Sequence, residues 1–175
     1  MLAGILVPGG MYTVQGPLLD LADHALRDRR APVEAVSWSV PYGLVRSGQA
    51  EPFVRAHVAS AMGRSPSDRP VLIGKSLGSF AAVLAAELEL PSIWLTPLLT
   101  EATIAEAITA SAAPTLLIGG TADKFWVPEI AAATGKPVLA VPDGDHNLRV
   151  PGRVSNYTDV LGLIGTAVEE FLDAL

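Results

Sequence analysis

The sequence contains no cysteine, few charged residues and no long apolar run. The lack of cysteine excludes disulfides, thiolate catalysis and cysteine-ligated metal sites. Charged residues make up only 17% of the chain and hydrophobic residues 50%, which excludes a disordered chain and predicts a packed core. No stretch approaches the roughly 20 apolar residues of a membrane span, and no signal-like segment precedes the first apolar run. We therefore expect a cytoplasmic protein with no membrane contact.

Positive charge is also scarce. The chain has 12 Lys and Arg against 18 Asp and Glu, a net charge of −6. Nucleic-acid affinity depends mainly on Lys and Arg, so we expect no nucleic-acid partner. The length of 175 residues suits a single domain, 1–175, that can bury a substantial core. The sequence leaves open whether this domain is a monomer or a homodimer.

Short apolar runs alternate with amphipathic segments along the whole chain. The runs are bounded by Gly, Pro or polar residues, which is typical of strands buried on both faces. The amphipathic segments carry apolar residues at helical spacing. We predict strands at 3–7, 33–38, 71–73, 93–95, 115–118 and 137–141, and helices at 17–30, 51–62, 77–88, 101–110, 128–134 and 156–175. This alternation predicts an α/β fold, a three-layer doubly wound structure with a six-stranded, mostly parallel sheet.

A G-x-S-x-G motif, Gly74-Lys75-Ser76-Leu77-Gly78, stands between the third predicted strand and the next helix. The bare pattern is weak evidence, but this context is that of a nucleophile elbow. In such an elbow Ser76 lies at a helix N-terminus, where backbone N–H groups stabilise developing negative charge. The alternative interpretation is a glycine-rich turn that carries a solvent-facing serine.

A nucleophilic serine needs a base, and the chain has only three histidines. His24 and His57 fall within predicted helices among polar neighbours, so we expect both to be exposed. His146 lies in the loop after the last predicted strand. That loop leaves the carboxyl end of the sheet, where the elbow also lies, and His146 is therefore the candidate base.

The base needs an orienting acid, for which we favour Asp123 in the loop after the fifth strand. The three residues then come from three strand ends in the order Ser, Asp, His. Three other acids remain alternatives, although two are expected to face solvent or brace the loop and one lies in a predicted helix: Asp143, Asp145 and Glu129.

A tetrahedral intermediate also needs hydrogen-bond donors for its oxyanion. One candidate is the backbone N–H of Leu77, which directly follows the nucleophile. The second should come from the loop after the first strand, with Gly10 favoured and Met11 the alternative. In the alternative interpretation these glycines only form a tight turn.

With these motifs the chain resembles the compact, cap-less serine hydrolases of the α/β-hydrolase superfamily. The resemblance covers nearly the whole length and includes the closing motifs at 120–123 (G-T-A-D) and 144–146 (G-D-H). It implies a minimal fold without a cap domain and with sheet order 2-1-3-4-5-6. It also implies a triad of Ser76, Asp123 and His146, oxyanion donors at Leu77 and Gly10, and no metal or organic cofactor.

The chain departs from that family in two places. Its first predicted strand corresponds to what is usually the third strand of the family, so we expect the sheet to lack the first antiparallel strands. The common His-Gly of the oxyanion loop is Pro8-Gly9 here, which removes a side chain that braces the loop.

No cap-length insertion follows the fourth predicted strand, so we expect an open, shallow site. Five residues on loops of the active face are its candidate walls: Met11, Tyr12, Leu98, Leu99 and Trp126. For Lys75 we expect an exposed side chain that borders the site or only keeps the turn soluble.

The function indicated by the residues and the resemblance is hydrolysis of small carboxylic esters or thioesters through an acyl-enzyme. Two alternatives stay open. One is a non-catalytic binding protein with the same fold. The other is a different triad chemistry, such as perhydrolysis or carbon–carbon bond hydrolysis, because fold and triad do not fix the substrate.

Overall fold

The computed structural model describes all 175 residues as six strands and a set of covering helices. In chain order the elements are β1 (Gly4–Val7), α1 (Pro17–Asp28), β2 (Val33–Ala35), α2 (Ala50–Met62), β3 (Val71–Lys75), a 3-10 helix (Ser76–Ala81) that continues as α3 (Ala82–Glu87), β4 (Ser92–Leu95), α4 (Ala102–Ala110), β5 (Thr115–Gly120), α5 (Pro128–Ala133), β6 (Val138–Val141) and α6 (Val154–Asp173). None of these helices has the length and apolar character that crossing a membrane requires.

All neighbouring strands are parallel, and the sheet order is β2-β1-β3-β4-β5-β6. The predicted fold class and strand order are therefore confirmed. From β1 the chain places β2 on one side of the sheet and then β3 to β6 on the other, so the strand order switches between β1 and β3. The loops after these two strands leave the same edge of the sheet in opposite directions. In open α/β sheets, ligands bind at this point.

The sheet separates two hydrophobic layers, because successive side chains of a strand point to opposite faces. Along β3, Leu72 contributes to the layer under α2, α3 and α4, whereas Ile73 contributes to the layer under α1 and α6. Four apolar residues of α6, spaced four apart, form its buried stripe: Val160, Ile164, Val168 and Leu172. Burial of each such side chain stabilises the fold by roughly 1.5–3 kcal/mol.

Several strand boundaries differ from those predicted. β2 ends at Ala35, three residues early, whereas β3 and β5 each run two residues further, to Lys75 and Gly120. In β3 and β5 the glycines that suggested a turn are part of the strand. At Gly74 a side chain would collide with Trp94 and with the carbonyl oxygen of Gly78, so glycine is present for close packing and not to end the strand.

Candidate active site

Ser76 lies at the sharp turn between β3 and the 3-10 helix, in a strained backbone conformation. Its φ is +52°, a left-handed value that non-glycine residues rarely adopt. Gly78 makes the turn possible, since a Cβ at this position would lie 2.5 Å from the carbonyl oxygen of Val7. The second glycine of the motif therefore lets the 3-10 helix approach the end of β1, which presents Ser76 at the carboxyl edge of the sheet.

Ser79 fixes this turn to the loop after β4. Its hydroxyl donates to the carbonyl oxygen of Ser76 at 2.6 Å and accepts the backbone N–H of Leu98 at 3.2 Å. Ser79 is fully buried, so both hydrogen bonds are shielded from water. The sequence analysis did not identify this residue, because its contact with Leu98 is long-range.

The side chains of Ser76, His146 and Asp123 form one continuous hydrogen-bonded chain. His146 Nε2 lies 2.8 Å from Ser76 Oγ, and His146 Nδ1 lies 2.7 Å from Asp123 Oδ2. The other carboxylate oxygen of Asp123 accepts the backbone N–H of Phe125 at 3.0 Å. The Asp123 side chain has no solvent exposure, whereas 30% of the His146 side chain is exposed. With a proton on Nδ1 donated to Asp123, the free Nε2 can accept the Ser76 proton.

Two glycines bring the acid and histidine loops together. Gly120, at the end of β5, contacts Gly144 so closely that a Cβ at Gly120 would overlap the Gly144 carbonyl oxygen. That oxygen accepts the backbone N–H of Ala122 at 3.0 Å. These are the glycines of the two closing motifs, so their role is to place Asp123 and His146 within hydrogen-bond distance.

The alternative acids form no hydrogen bond with the imidazole. Asp145 braces its own loop by accepting the backbone N–H groups of Asn147 and Arg149 at 2.8 and 3.0 Å. Asp143 and Glu129 are exposed. Of the four acids considered, the structure therefore places only Asp123 against His146.

The other two histidines lie outside the site. His24 is exposed on α1, as predicted. The same prediction for His57 is wrong, because its ring is half-buried beside Trp38 and Phe53, with centroids 5.6 and 4.4 Å away. Residues 53–62 around His57 are in fact mostly apolar, and Trp38 reaches the ring from the loop after β2.

The loop after β1 presents free backbone donors beside Ser76. The N–H groups of Gly10 and Met11 make no hydrogen bond within the protein, and Gly10 lies against Leu77. Leu77 is the second residue of the 3-10 helix, where N–H groups have no partner inside the helix. The three candidate oxyanion donors therefore lie around one space next to Ser76.

Trp38, from the segment after β2, braces this loop. Its indole Nε1–H donates to the carbonyl oxygen of Gly9 at 3.0 Å, and the Gly9 N–H donates to the carbonyl of Tyr12 at 2.9 Å. Both polar groups of Gly9 are thus paired, while the donors of Gly10 and Met11 are left for a ligand.

A cleft of about 660 Å³ opens over Ser76 and His146. Met11 and Leu98 lie on its walls as predicted, but three other predicted wall residues do not. Tyr12 lies beneath the loop, where its hydroxyl accepts the N–H of Leu18 at 2.9 Å and burial raises the pKa of the phenol. Leu99 and Trp126 are buried in the hydrophobic layer.

The sequence analysis missed most of the opposite wall. It is formed by the loop between β2 and α2, residues 40–46, together with Glu101 and Phe125. Tyr42 in that loop is fully exposed. The available sequence signal was the Pro41-Tyr42-Gly43 turn, which follows the second predicted strand but does not by itself indicate a binding wall.

The prediction that Lys75 is exposed is wrong. Only 1% of the residue is accessible to solvent, because β3 continues through it and directs its side chain beneath the site. Its Nζ donates to the carbonyl oxygen of His146 at 3.0 Å and lies 4.6 Å from the centroid of the Tyr12 ring. Burial lowers the pKa of Lys75 to about 8, although the charges of Asp123 and Asp145 oppose this shift.

Comparison with known proteins bears on the fold. Neither a protein-family model nor a curated protein matches the sequence. A solved structure from Xanthomonas campestris pv. campestris, assigned to the α/β-hydrolase superfamily, matches with a TM-score of 0.72 and 17% identity over 99% of both chains. A serine hydrolase without a lid from Xanthomonas campestris matches with a TM-score of 0.63 and 19% identity over 97% of this chain and 82% of the other. An esterase from Pyrococcus furiosus matches with a TM-score of 0.67 and 14% identity over 98% of this chain and 82% of the other.

These matches span nearly the whole chain and share its sheet and helix layers. In this chain the segment 96–101 leads from β4 directly into α4 with no inserted domain. The chain therefore has the α/β-hydrolase fold, in the form that lacks a lid.

Proposed function

We propose that the protein is a serine hydrolase that cleaves small carboxylic ester or thioester bonds through an acyl-enzyme on Ser76. The observation that carries this proposal is the hydrogen-bonded chain from Ser76 through His146 to the buried Asp123. A serine at a strained elbow, a base within 2.8 Å and a buried acid behind the base together meet the requirements of nucleophilic catalysis.

Acylation begins when Ser76 Oγ attacks the substrate carbonyl carbon and passes its proton to His146 Nε2. The oxyanion that forms accepts hydrogen bonds from the backbone N–H of Leu77 and from that of Gly10 or Met11. Asp123 holds the imidazole in the reactive tautomer and stabilises the imidazolium. The tetrahedral intermediate then expels the alkoxide or thiolate, which takes the proton from His146.

Deacylation repeats these steps with water as the nucleophile. His146 Nε2 removes a proton from the water as its oxygen attacks the acyl carbon. Collapse of the second intermediate breaks the bond to Ser76 Oγ, which regains the proton and releases the carboxylic acid. The cycle uses only side chains and backbone groups of this chain.

The shape and lining of the cleft support a small or extended ester as substrate. Apolar side chains flank the nucleophile, with Met11 and Leu98 on one part of the wall and Phe125 beside His146. The cleft is open to solvent with no lid over it, so substrate binding depends on this lining rather than on closure. The esterase among the structural neighbours is consistent with such a substrate.

A fluorophosphonate probe tests this proposal without knowledge of the substrate. Folded protein should gain the mass of one phosphonyl group, and peptide mapping should place that group on Ser76. Heat-denatured protein should gain none, because an isolated serine is a weak nucleophile. Failure of folded protein to react, or reaction at another serine, would overturn the proposal and favour a binding protein with the same fold.

Replacement of Trp38 by Phe should lower kcat for a nitrophenyl ester by about tenfold, with little change in KM. Phe keeps the ring packed against Phe53 but removes the donor to the Gly9 carbonyl, so the oxyanion loop is less well held. Loss of a direct oxyanion donor costs about 10²–10³ in kcat, and a brace for that donor should contribute less.

The matched control is Phe53→Leu, which alters the same aromatic cluster without touching the loop after β1. Steady-state kinetics and a melting temperature would be measured for both variants. An unchanged kcat in Trp38→Phe, or an equal loss in both variants, would show that Trp38 does not support the oxyanion loop.

A further inference from the structure

Lys75 is a buried charged residue to which the proposed reaction assigns no role. It directly precedes the nucleophile, yet its side chain leaves the cleft and runs beneath the site to the backbone of the histidine loop. Buried lysines are uncommon because desolvation of an ammonium group is costly. A buried lysine at this position therefore indicates a role that a hydrophobic residue could not fill.

The first contact concerns the position of His146. Lys75 Nζ donates to the carbonyl oxygen of His146 at 3.0 Å, and His146 φ and ψ are thereby tied to the strand that carries Ser76. The histidine loop is also braced at Gly144, whose carbonyl accepts the Ala122 N–H, and by the Asp145 carboxylate, which accepts the N–H groups of Asn147 and Arg149. Lys75 thus supplies the direct link between the base and the nucleophile's own strand.

The second set of contacts involves the groups around the ammonium. The groups that face Lys75 are Asp123 from the loop after β5, Asp145 and His146 from the loop after β6, and the Tyr12 ring from the loop after β1. The charges of Asp123 and Asp145 raise the pKa of Lys75 against the effect of burial, so the ammonium remains largely charged near neutral pH. A charged ammonium is a stronger donor to the His146 carbonyl than a neutral amine would be.

We infer that Lys75 is a positioning residue that anchors the His146 backbone and so holds the imidazole within reach of Ser76. This inference rests on the proposed function, since the position of the imidazole matters for catalysis only if it accepts the Ser76 proton. Lys75 does not touch the substrate or the reacting atoms. It acts through His146.

Replacement of Lys75 by Met tests this inference. The rate of fluorophosphonate labelling should fall by about 10- to 100-fold, because a small displacement of a catalytic group has a cost of this size. Substrate binding does not depend on Lys75, so kcat for a nitrophenyl ester should fall while KM stays within about twofold of wild type.

The melting temperature separates this role from a structural one. Burial lowers the pKa of Lys75 from 10.5 to about 8, so the charged ammonium destabilises the folded state below pH 8, and this effect fades as the pH rises from about 8 towards 10.5. Met removes that cost but leaves the His146 carbonyl oxygen without its donor, so the two effects of the replacement on the melting temperature at pH 7 oppose each other. Labelling is therefore compared at 20 °C below each melting temperature, and a wild-type rate in Lys75→Met under these conditions would contradict the inference.

Two further variants sharpen the test. Lys75→Arg retains a charged donor to the His146 carbonyl and should recover part of the labelling rate that Lys75→Met loses. Lys136→Met is the matched control, because Lys136 also donates to a loop carbonyl, that of Ser111, at the opposite end of the sheet. It should not change the labelling rate.

NMR of the wild-type protein decides the inference independently of labelling or of variant folding. The chain has only three lysines and three histidines, so the side-chain signals can be assigned individually. The His146 ring signals should shift with the deprotonation of Lys75 near pH 8, while those of His24 do not. His146 signals that ignore the Lys75 titration would overturn the inference. If labelling fails but this coupling is present, the proposed function fails and the Lys75–His146 link stands.

Discussion

Replacement of Asp123 by Asn is expected to lower kcat for ester hydrolysis by about 10⁴-fold while leaving the fold intact. Asn has the same shape as Asp and can still accept the Phe125 N–H through its carbonyl oxygen. Its amide NH₂ would then face His146 Nδ1 and donate to it. The imidazole must accept at Nδ1 and carry its proton on Nε2, so it cannot remove the proton of Ser76.

Two neighbouring carboxylates provide matched controls for Asp123→Asn. Asp143 and Glu129 are exposed and form no hydrogen bond with the His146 ring, so Asp143→Asn and Glu129→Gln should keep kcat within about twofold of wild type. Asn also tolerates the positive φ of residue 143, which is +55°. Kinetics with a nitrophenyl ester and a circular dichroism spectrum would be recorded for all three variants. A loss of less than tenfold in Asp123→Asn would remove Asp123 from the triad.

The loop positions of the candidate site were predictable from sequence because the chemistry follows the ends of buried strands. Ser76, Asp123 and His146 each stand a few residues beyond an apolar run, and parallel strands bring such ends to one edge. The six apolar runs also sufficed to predict the sheet, because each is short and separated from the next by Gly, Pro or polar residues. These signals are local, so a single sequence contains them.

Lys75 and Trp38 were not predictable, because their roles depend on contacts between distant parts of the chain. Whether Lys75 is exposed depends on where β3 ends, and a strand two residues longer turns the side chain from solvent into the layer beneath the site. Trp38 reaches a carbonyl 29 residues earlier in the chain. The prediction that Leu99 and Trp126 line the cleft was wrong for the same reason. A side chain in a loop can point either into the cleft or into the core, and the local sequence does not decide which.

Replacement of Gly120 by Ala is expected to damage both stability and the assembly of the candidate triad. A methyl group there would overlap the Gly144 carbonyl oxygen, which belongs to backbone and cannot rotate away. The loops that carry Asp123 and His146 must separate, so we expect a loss of about 2–3 kcal/mol in the free energy of unfolding. For a protein of this size that corresponds to a fall of roughly 5–10 °C in melting temperature.

The same separation should weaken catalysis at temperatures where Gly120→Ala remains folded, because Asp123 and His146 are held together through this contact. Gly162→Ala is the control, since Gly162 lies on the exposed face of α6 with no atom near its potential Cβ. Alanine favours a helix over glycine by about 0.5–1 kcal/mol, so this variant should be slightly more stable and fully active. Thermal unfolding and labelling rates at 20 °C below each melting temperature would be compared. If Gly120→Ala labels as fast as Gly162→Ala under these conditions, the contact between Gly120 and Gly144 supports the fold but does not set the distance between acid and base.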